Sequence, residues 1–284
     1  MTKIPGLFSK QADLLGMHSQ RPATALLPWI ELYYVVHAQG EAAASAPMLN
    51  QAPLTPCQPA NDTKHRLYPD GGSSLNLYWQ GPLIHRVSVV HQAHQLRYYS
   101  PVAETVLSIR FAAGGLYGMF GAEANKWQGE HTFWPDEHQW LAELCSALQN
   151  QQRTVWHALD WFFLRQARQR QLEPGLVQQW LSYGVQHPLL HIRQQLQQFG
   201  RARRTIERAF QREAGIAPGQ LHQLQRIKWA RTMLWNQPES SITAIALRCH
   251  YYDQAHFVHQ FSGITGQSPS EYRQRKLSQL YKEN

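Results

Sequence analysis

The sequence predicts a two-domain α+β protein, with a β-rich half over residues 1–170 and an all-α half over residues 174–284. Short runs of alternating or β-branched residues, separated by turn signals, fill roughly the first 110 residues. Apolar residues at three- and four-residue spacing dominate the C-terminal part instead, as amphipathic helices require. The boundary is expected at Glu173-Pro174-Gly175, because proline and glycine together interrupt regular structure.

Turn signals divide the first half into strands. The stretch Pro69-Asp70-Gly71-Gly72 is a strong turn signal, since aspartate, proline and glycine each favour turn conformations. Strands are predicted over residues 29–40, 74–79, 83–90, 96–99 and 105–111. Residues 41–63, which are rich in alanine and proline, are expected to form a loop. Several short strands in series favour a small sandwich or barrel.

Helices are expected to follow the strands from about residue 115. Glycines punctuate residues 114–121, which predicts a turn and a short helix. Two longer amphipathic helices are then predicted, one opened by Trp134-Pro135-Asp136 and running through Leu148, and one over residues 154–168.

Composition limits the class of protein. Apolar residues make up 43% of the chain, but no run approaches the ~20 apolar residues of a membrane span. No secretory leader is recognisable at the N-terminus. The three cysteines, Cys57, Cys145 and Cys249, lie far apart without a C-x-x-C pair. We therefore expect a cytoplasmic protein with reduced, structural thiols.

The formal net charge of +8 is unevenly distributed. Residues 174–284 contain 14 Lys and Arg against 6 Asp and Glu, whereas residues 1–173 contain 13 of each sign. The whole surplus thus belongs to the helical half. Basic charge releases counterions from the phosphate backbone of nucleic acid, so this half is the candidate nucleic-acid binder.

Residues 241–272 predict two short helices joined by a tight turn. Ile242, Ile245 and Ala246 form an apolar stripe on the first helix. Asp253 is a favourable N-cap for the second helix, and Ser268-Pro269 opens a third. This order fits a helix-turn-helix whose second helix enters the DNA major groove. Pattern alone fits a compact helical pair in any α-helical domain equally well.

The residues of this stretch resemble the second helix-turn-helix of AraC/XylS-type transcription regulators. The resemblance is carried by H-Y-Y-D-Q-A-H-F at 250–257 and F-S-G-I-T-G-Q-S-P-S-E-Y at 261–272. His250 stands where the family usually has a glycine in the turn. A histidine there must either adopt a left-handed conformation or shift the turn.

The upstream sequence resembles the first helix-turn-helix and the linker helix of the same family. F-G-R-A-R-R-T-I-E-R-A-F at 199–210 and G-I-A-P at 215–218 carry this resemblance. It implies a first unit over about 188–213, a linker helix over about 218–236 and a second unit over about 241–262. Ala202 replaces a usual capping serine, a loss that typically costs about 1 kcal/mol. Because the first unit is rich in arginine, base reading and phosphate binding both remain open for it.

The family's helix positions imply DNA contacts for eight residues. They are Arg203, Arg204, Glu207, Arg208, Arg212, Gln254, Ala255 and His259. Arginine can bind guanine and glutamine can bind adenine through two hydrogen bonds each. For Arg212 a phosphate contact is expected, and a solvated surface position is the alternative for any single arginine. The two recognition helices would lie about one DNA turn, ~34 Å, apart.

The first half resembles the cupin-like sensor domain of some regulators in this family. The segments concerned are Y-P-D-G-G-S-S-L-N-L at 68–77 and I-R-F-A-A-G-G at 109–115. The resemblance implies a β-rich sandwich or half-barrel with trailing helices. It does not account for residues 41–63.

Other kinds of site find little support in the sequence. His85, His91 and His94 lie close together, but no cysteine or regularly spaced glutamate completes a metal-ligand set, so surface or pocket histidines are favoured. The series Gly115, Gly118 and Gly121 lacks the G-x-G start of a dinucleotide loop. No G-x-S-x-G, P-loop or H-E-x-x-H motif occurs. We therefore predict no enzyme activity, no cofactor, no metal and no catalytic residue.

The combined reading is a sequence-specific DNA-binding transcription regulator. Its expected partners are double-stranded DNA, RNA polymerase if it activates transcription, a small-molecule effector in the N-terminal half, and a second copy of the chain. One alternative is an N-terminal half that serves only dimerisation or protein interaction. Another is an enzymatic domain fused to the DNA-binding module, for which a reactive cysteine of low pKa would be the signature.

Overall fold

Six antiparallel strands form the main sheet of the N-terminal half. The computed structural model describes residues 17–36, 65–80, 83–91, 97–99, 105–126, 129–149, 154–186 and 192–281. The strands are β1 (Met17–Gln20), β2 (Ile30–Val36), β4 (Ser73–Gln80), β5 (Leu83–His91), β7 (Thr105–Phe111) and β8 (Gly129–Phe133), in the spatial order β1-β2-β7-β4-β5-β8. A separate pair joins β3 (His65–Leu67) to β6 (Arg97–Tyr99). The predicted loop over residues 41–63 lies outside the described residues.

Alternation along the central strands separates two faces of the sheet. On one face Leu75, Leu77 and Leu107 belong to the apolar core. On the other face the side chains are polar yet buried: the Asn76 amide donates to Ser88 Oγ at 3.2 Å, and the Ser108 hydroxyl donates to Asn76 Oδ1. The second face is therefore a hydrogen-bonded layer, as buried polar groups require.

Three helices pack on the apolar face of the main sheet. They are α1 (Gly115–Phe120), α2 (Gln139–Gln149) and α3 (Val155–Gln169). Leu144 of α2 and Phe163 of α3 are fully buried against the sheet. Asp160 of α3 fixes the strand end by accepting hydrogen bonds from the Ala23 amide at 3.0 Å and the Tyr33 hydroxyl at 3.1 Å.

The predicted helix start at Trp134 is wrong. Residues Gly129–Phe133 form β8, which pairs with β5 at the sheet edge, and α2 begins only at Gln139. Between them the Trp134 amide donates to the Glu137 carboxylate at 2.8 Å, and the Glu137 amide donates to Trp134 O at 3.2 Å. This local turn uses the backbone groups that would have opened a helix.

All regular structure after residue 174 that the model describes is helical. The helices are α4 (Leu176–Gln186), α5 (Ile192–Gln198), α6 (Arg203–Ala214), α7 (Pro218–Asn236), α8 (Ile242–Arg248), α9 (Gln254–Thr265) and α10 (Pro269–Tyr281). The α+β prediction, with a β-rich first half, trailing helices and an all-α second half, is confirmed. None of the described helices combines the length and apolar character of a membrane span.

The helical half contains two apolar cores, one at each end of α7. The first surrounds Trp180, Phe210 and Leu221, and the second surrounds Ile245, Phe257 and Phe261. Since α7 contributes buried residues to both cores, it is the element that connects the two units.

Candidate nucleic-acid interface

The first unit is built from α5, a glycine turn and α6. Gly200 adopts a left-handed conformation with φ 73°, which a residue without a Cβ tolerates at little cost. Ile206 and Phe210 of α6 are fully buried, and the Phe210 ring packs edge-on against Trp180 at 5.3 Å. Ala202 at the N-cap provides no side-chain hydrogen bond, as predicted from its residue type.

The opposite face of α6 is exposed and charged. Arg203, Arg204, Glu207 and Arg208 all lie on it. The Arg203 Nε donates to Glu207 Oε1 at 2.8 Å, one helical turn away, and this contact raises the pKa of Arg203. In the DNA-free structure these two candidate DNA contacts therefore form an ion pair with each other, whereas Arg208 has no described ion pair.

Arg212 differs from the other candidates on α6. Its guanidinium lies 5.1 Å from the centre of the Tyr117 ring of α1 and 3.4 Å from Glu213 Oε1. Its head group is thus drawn towards the N-terminal half. The predicted phosphate contact of Arg212 would have to be made alongside these interactions.

The second unit consists of α8, a turn and α9, and each helix has a side-chain cap. Ser241 Oγ accepts from the Ala244 amide at 3.1 Å, and Asp253 Oδ1 accepts from the His256 amide at 2.7 Å. Phe257 and Phe261 are fully buried on the inner side of α9. The predicted N-cap at Asp253 is therefore confirmed.

The turn between α8 and α9 is held by an arginine of the linker helix. His250 has φ 60°, so of the two alternatives for this residue the structure has the left-handed conformation. Arg226 donates from Nε to Cys249 O at 2.8 Å and from Nη2 to His250 O at 2.5 Å. Its guanidinium also lies 3.6 Å from the centre of the Tyr251 ring. Burial and the neighbouring Arg226 charge lower the pKa of His250, which favours a neutral imidazole.

The outer face of α9 presents the remaining candidates. Gln254, Ala255 and His259 are all exposed. The Thr243 hydroxyl of α8 donates to Gln254 Oε1 at 2.5 Å, which orients the amide. Tyr252, immediately before the helix cap, is 93% exposed. Sequence reasoning missed Thr243 and Tyr252, because a contact across two helices and a large exposed aromatic leave no periodic signal.

Comparison with known proteins finds similarity in the helical half. A family model described as a helix-turn-helix domain matches residues 196–275, which include both units and α7. An uncharacterized HTH-type transcriptional regulator of Haemophilus influenzae is 35% identical over 83 residues. The C-terminal region carries an AraC-type helix-turn-helix domain. The match covers 29% of this chain and 28% of that relative's length.

Solved structures with the same general order of elements are more distant. The crystal structure of ToxT from Vibrio cholerae O395 is 13% identical, with a TM-score of 0.41 over 74% of this chain and 90% of that chain. The xylose-binding transcription activator xylR is 18% identical, with a TM-score of 0.31 over 42% of this chain and 39% of that chain. At these TM-scores the likeness identifies no ligand or partner.

Outside the AraC-type domain, one of the three clustered histidines is an interdomain contact. His91 is buried, with Nδ1 2.9 Å from Ser73 Oγ and Nε2 3.0 Å from Ala214 O at the end of α6. The expectation of a surface or pocket position is therefore wrong for His91, because docking of the AraC-type domain covers it. His94 lies outside the described residues. Within the described ranges no three His, Cys, Asp or Glu residues are grouped to hold a metal ion.

The two described cysteines lack the activated thiol of a cysteine enzyme. Burial raises the pKa of the Cys145 thiol to about 12. Burial also raises the pKa of Cys249 to about 12, although the Arg226 charge opposes it. Both are thus protonated near neutral pH, which is the reverse of a reactive cysteine. Cys57 lies outside the described residues.

Proposed function

We propose that this protein is a sequence-specific DNA-binding transcription regulator in which both recognition helices, α6 and α9, enter the major groove. The observation that carries the proposal is that all eight candidate side chains are exposed, seven of them on the outer faces of α6 and α9 and Arg212 beside Tyr117. The inner faces of the same helices are filled by Phe210, Phe257 and Phe261. A helix with one face in an apolar core offers its opposite face to a groove.

The chemistry of the two faces differs, and so do their proposed roles. On α9, Gln254 would bind an adenine edge, because its amide carries both a donor and an acceptor. Thr243 already satisfies one lone pair of Gln254 Oε1 and leaves the other free. On α6, Arg204 and Arg208 would bind guanine or phosphate. Arg203 would first have to break or share its hydrogen bond with Glu207. No catalytic residue is part of the proposal.

We infer in addition that the N-terminal half regulates DNA binding, through an effector or through association with a second copy. The support is physical contact: His91 bonds to the end of α6, and Lys228 of α7 lies 2.7 Å from Glu31 Oε1 of β2. A change in the sheet would therefore reach both a recognition helix and the linker helix. An effector must then bind the DNA-bound and DNA-free proteins with different affinity, because the coupling is reciprocal. RNA polymerase would be a further partner if the protein activates transcription.

Selection of random duplex DNA on the full-length protein, at two salt concentrations, tests the proposed function. Two conserved blocks about one helical turn apart are expected if both units read bases. A single block would assign the arginine-rich α6 to phosphate binding. Binding without any enriched motif, which collapses as salt rises, would refute sequence-specific recognition.

A further inference from the structure

A short segment of the N-terminal half crosses both DNA-reading units. Residues 68–71, which we call the interdomain brace, connect β3 to β4 in the sheet domain. In the folded chain they lie along the linker helix α7, from the second unit at one end to the first unit at the other.

At one end of the brace, Tyr68 is part of the core of the second unit. It is buried among Ile245, Phe257 and Tyr272, all of which belong to the AraC-type domain. Its ring meets the Tyr272 ring edge-on at 6.0 Å, and the Arg231 guanidinium lies 3.7 Å from its centre. An N-terminal side chain thus completes a C-terminal core.

The hydroxyl of Tyr68 adds specific hydrogen bonds to α10 and the turn before it. Arg275 Nη2 donates to Tyr68 Oη at 2.8 Å, and Gln267 Nε2 donates to it at 3.3 Å. A ring in an apolar core stabilises by area, but two donors aimed at one oxygen also fix the position of the helix that carries them. Tyr68 therefore determines where the second unit sits, besides stabilising it.

The middle of the brace is bonded to the centre of α7. Gln225 Nε2 donates to Asp70 O at 3.1 Å, and Lys228 Nζ lies 3.5 Å from Asp70 Oδ2. Arg110 of β7 pairs with the other carboxylate oxygen of Asp70, and Glu31 holds Lys228 from the opposite side. These charges are largely buried, so each depends on its partners and on the position of the brace.

The other end of the brace touches the first unit. Gly71 has φ 79°, and a Cβ there would lie 2.7 Å from Leu221 Cδ1 and 3.1 Å from Ile216 Cδ1. Leu221 and Ile216 belong to the core of the first unit. The close approach of the Gly71 backbone therefore sets the distance between the sheet domain and that core.

We propose that the interdomain brace fixes the two recognition helices relative to each other, with Tyr68 as the positioning residue for the second unit. The proposal rests on the proposed function, since it concerns how the two units reach one DNA site. The docked brace leaves the candidate DNA contacts on α6 and α9 exposed. The docked form is therefore a form that can bind DNA, and the brace acts in its favour by holding one spacing and one phase.

Spacing dependence of DNA affinity is the readout that separates positioning from stability. One base pair inserted between the two blocks moves them apart by ~3.4 Å and turns one by about 35° around the duplex. A rigid pair of units loses affinity steeply on such a change, whereas a loosely connected pair adapts. A variant that is merely destabilised binds all spacings more weakly by the same factor.

The experiment uses full-length Tyr68→Ala, Tyr68→Phe and Arg275→Met proteins and the selected two-block site with spacings from two base pairs shorter to two longer. Affinity is measured by fluorescence anisotropy. Tyr117→Phe is the matched control, because the described interdomain contact of Tyr117 is made by its ring. For wild type and control we expect about a tenfold or larger loss per inserted base pair, of the size of one mismatched pair.

For Tyr68→Ala we expect that loss to shrink to about threefold or less, together with weaker binding at the best spacing. Tyr68→Phe and Arg275→Met should fall between the two, since Tyr68→Phe removes both hydrogen bonds to the hydroxyl, Arg275→Met removes one of them, and both variants keep the ring. They are the decisive variants if Tyr68→Ala does not fold. The proposal would be overturned if the variants lost the same factor of DNA affinity at every spacing, bound DNA like the wild type, or bound it more tightly. Failure of the wild type to select two blocks would instead refute the proposed reading by two units, so the two failures are distinct.

Discussion

Replacing Arg226 by lysine should loosen the turn of the second unit while preserving charge. Arg226 reaches from α7 to two carbonyls of the turn and lies on the Tyr251 ring. Only the planar guanidinium can donate to both carbonyls while it stacks on a ring. Lysine has a single nitrogen at the end of a flexible chain, so it retains at most one of the two hydrogen bonds with good geometry.

The expected cost follows from these contacts. A hydrogen bond from a charged donor contributes about 1.5–3 kcal/mol, and the lower end applies here because Arg226 is partly exposed to water. A partly exposed cation–π contact adds about 0.5–1 kcal/mol. Loss of one hydrogen bond and part of the stacking therefore amounts to about 2 kcal/mol. In domains of 150–250 residues, this lowers the Tm by roughly 4–8 °C.

Thermal unfolding followed by far-ultraviolet circular dichroism measures this change. Arg204→Lys is the control, because Arg204 is an exposed arginine on α6 without a described ion pair or hydrogen bond, and its Tm should match the wild type. A Tm for Arg226→Lys within 1 °C of the control would mean that the arginine contributes nothing to the turn. In that case the left-handed His250 would be held by its other contacts, which include the hydrogen bond from its amide to Leu247 O at 2.9 Å and the Trp229 ring at 5.8 Å.

Three further predictions concern the DNA face, pH and the thiols. Arg208→Ala and Gln254→Ala should each weaken binding to the selected site by about 5–150-fold with unchanged Tm, because each base contact contributes ~1–3 kcal/mol. Operator affinity equal to that of the wild type in both variants would show that the recognition-helix assignment is wrong. Burial raises the pKa of Asp70, but Arg110 and Lys228 outweigh it and leave the pKa lowered, so this contribution to stability is complete above the ordinary value of 3.8 and is lost as pH falls further. Burial lowers the pKa of Lys228, but its carboxylate partners outweigh it, so its contribution is present below 10.5 and is lost as pH rises through the raised pKa; a Tm that stays constant from pH 3 to pH 11 would contradict both. In a Cys57→Ser background, the two buried thiols should react with a thiol reagent only after unfolding, and rapid labelling of the native protein at pH 8 would disprove the raised pKa values.

Local signals in the sequence predicted most of the helical half, because its elements are capped and patterned within a few residues. Asp253 and Ser268 cap the helices that they are predicted to cap, and Glu271 completes a reciprocal cap with Ser268 before α10. The strand over residues 105–111 has the predicted bounds. The missed strand β8 shows the limit: its five residues have a weak pattern, and its partner β5 lies about 40 residues earlier in the chain.

In the candidate site, too, some features follow from local sequence and others depend on contacts between distant residues. The family's helix positions predict eight DNA contacts; all eight residues are exposed, and their contact with DNA stays a prediction. The contacts of these side chains differ in how far the sequence could predict them. Arg203 and Glu207 form a local i,i+4 contact, which spacing alone predicts. The contacts of Gln254 with Thr243 and of Arg212 with Tyr117 each join two separate elements, so they depend on the tertiary structure.

The sequence by itself determined that the chain has a β-rich half and a basic helical half, and that the latter contains two helix-turn-helix units. The two halves follow from periodicity and charge, which act over a few neighbouring residues, whereas the two units follow from the resemblance of residues 199–218 and 250–272 to a known family. Only the tertiary structure decided how the halves meet. The turn predicted at residues 69–72 lies, together with Tyr68, along α7 and contacts both units. His91 of the sheet makes a hydrogen bond with the end of α6. Such contacts join residues more than 100 positions apart, and their free energy arises from burial and complementary geometry that exist only once both domains are folded and docked.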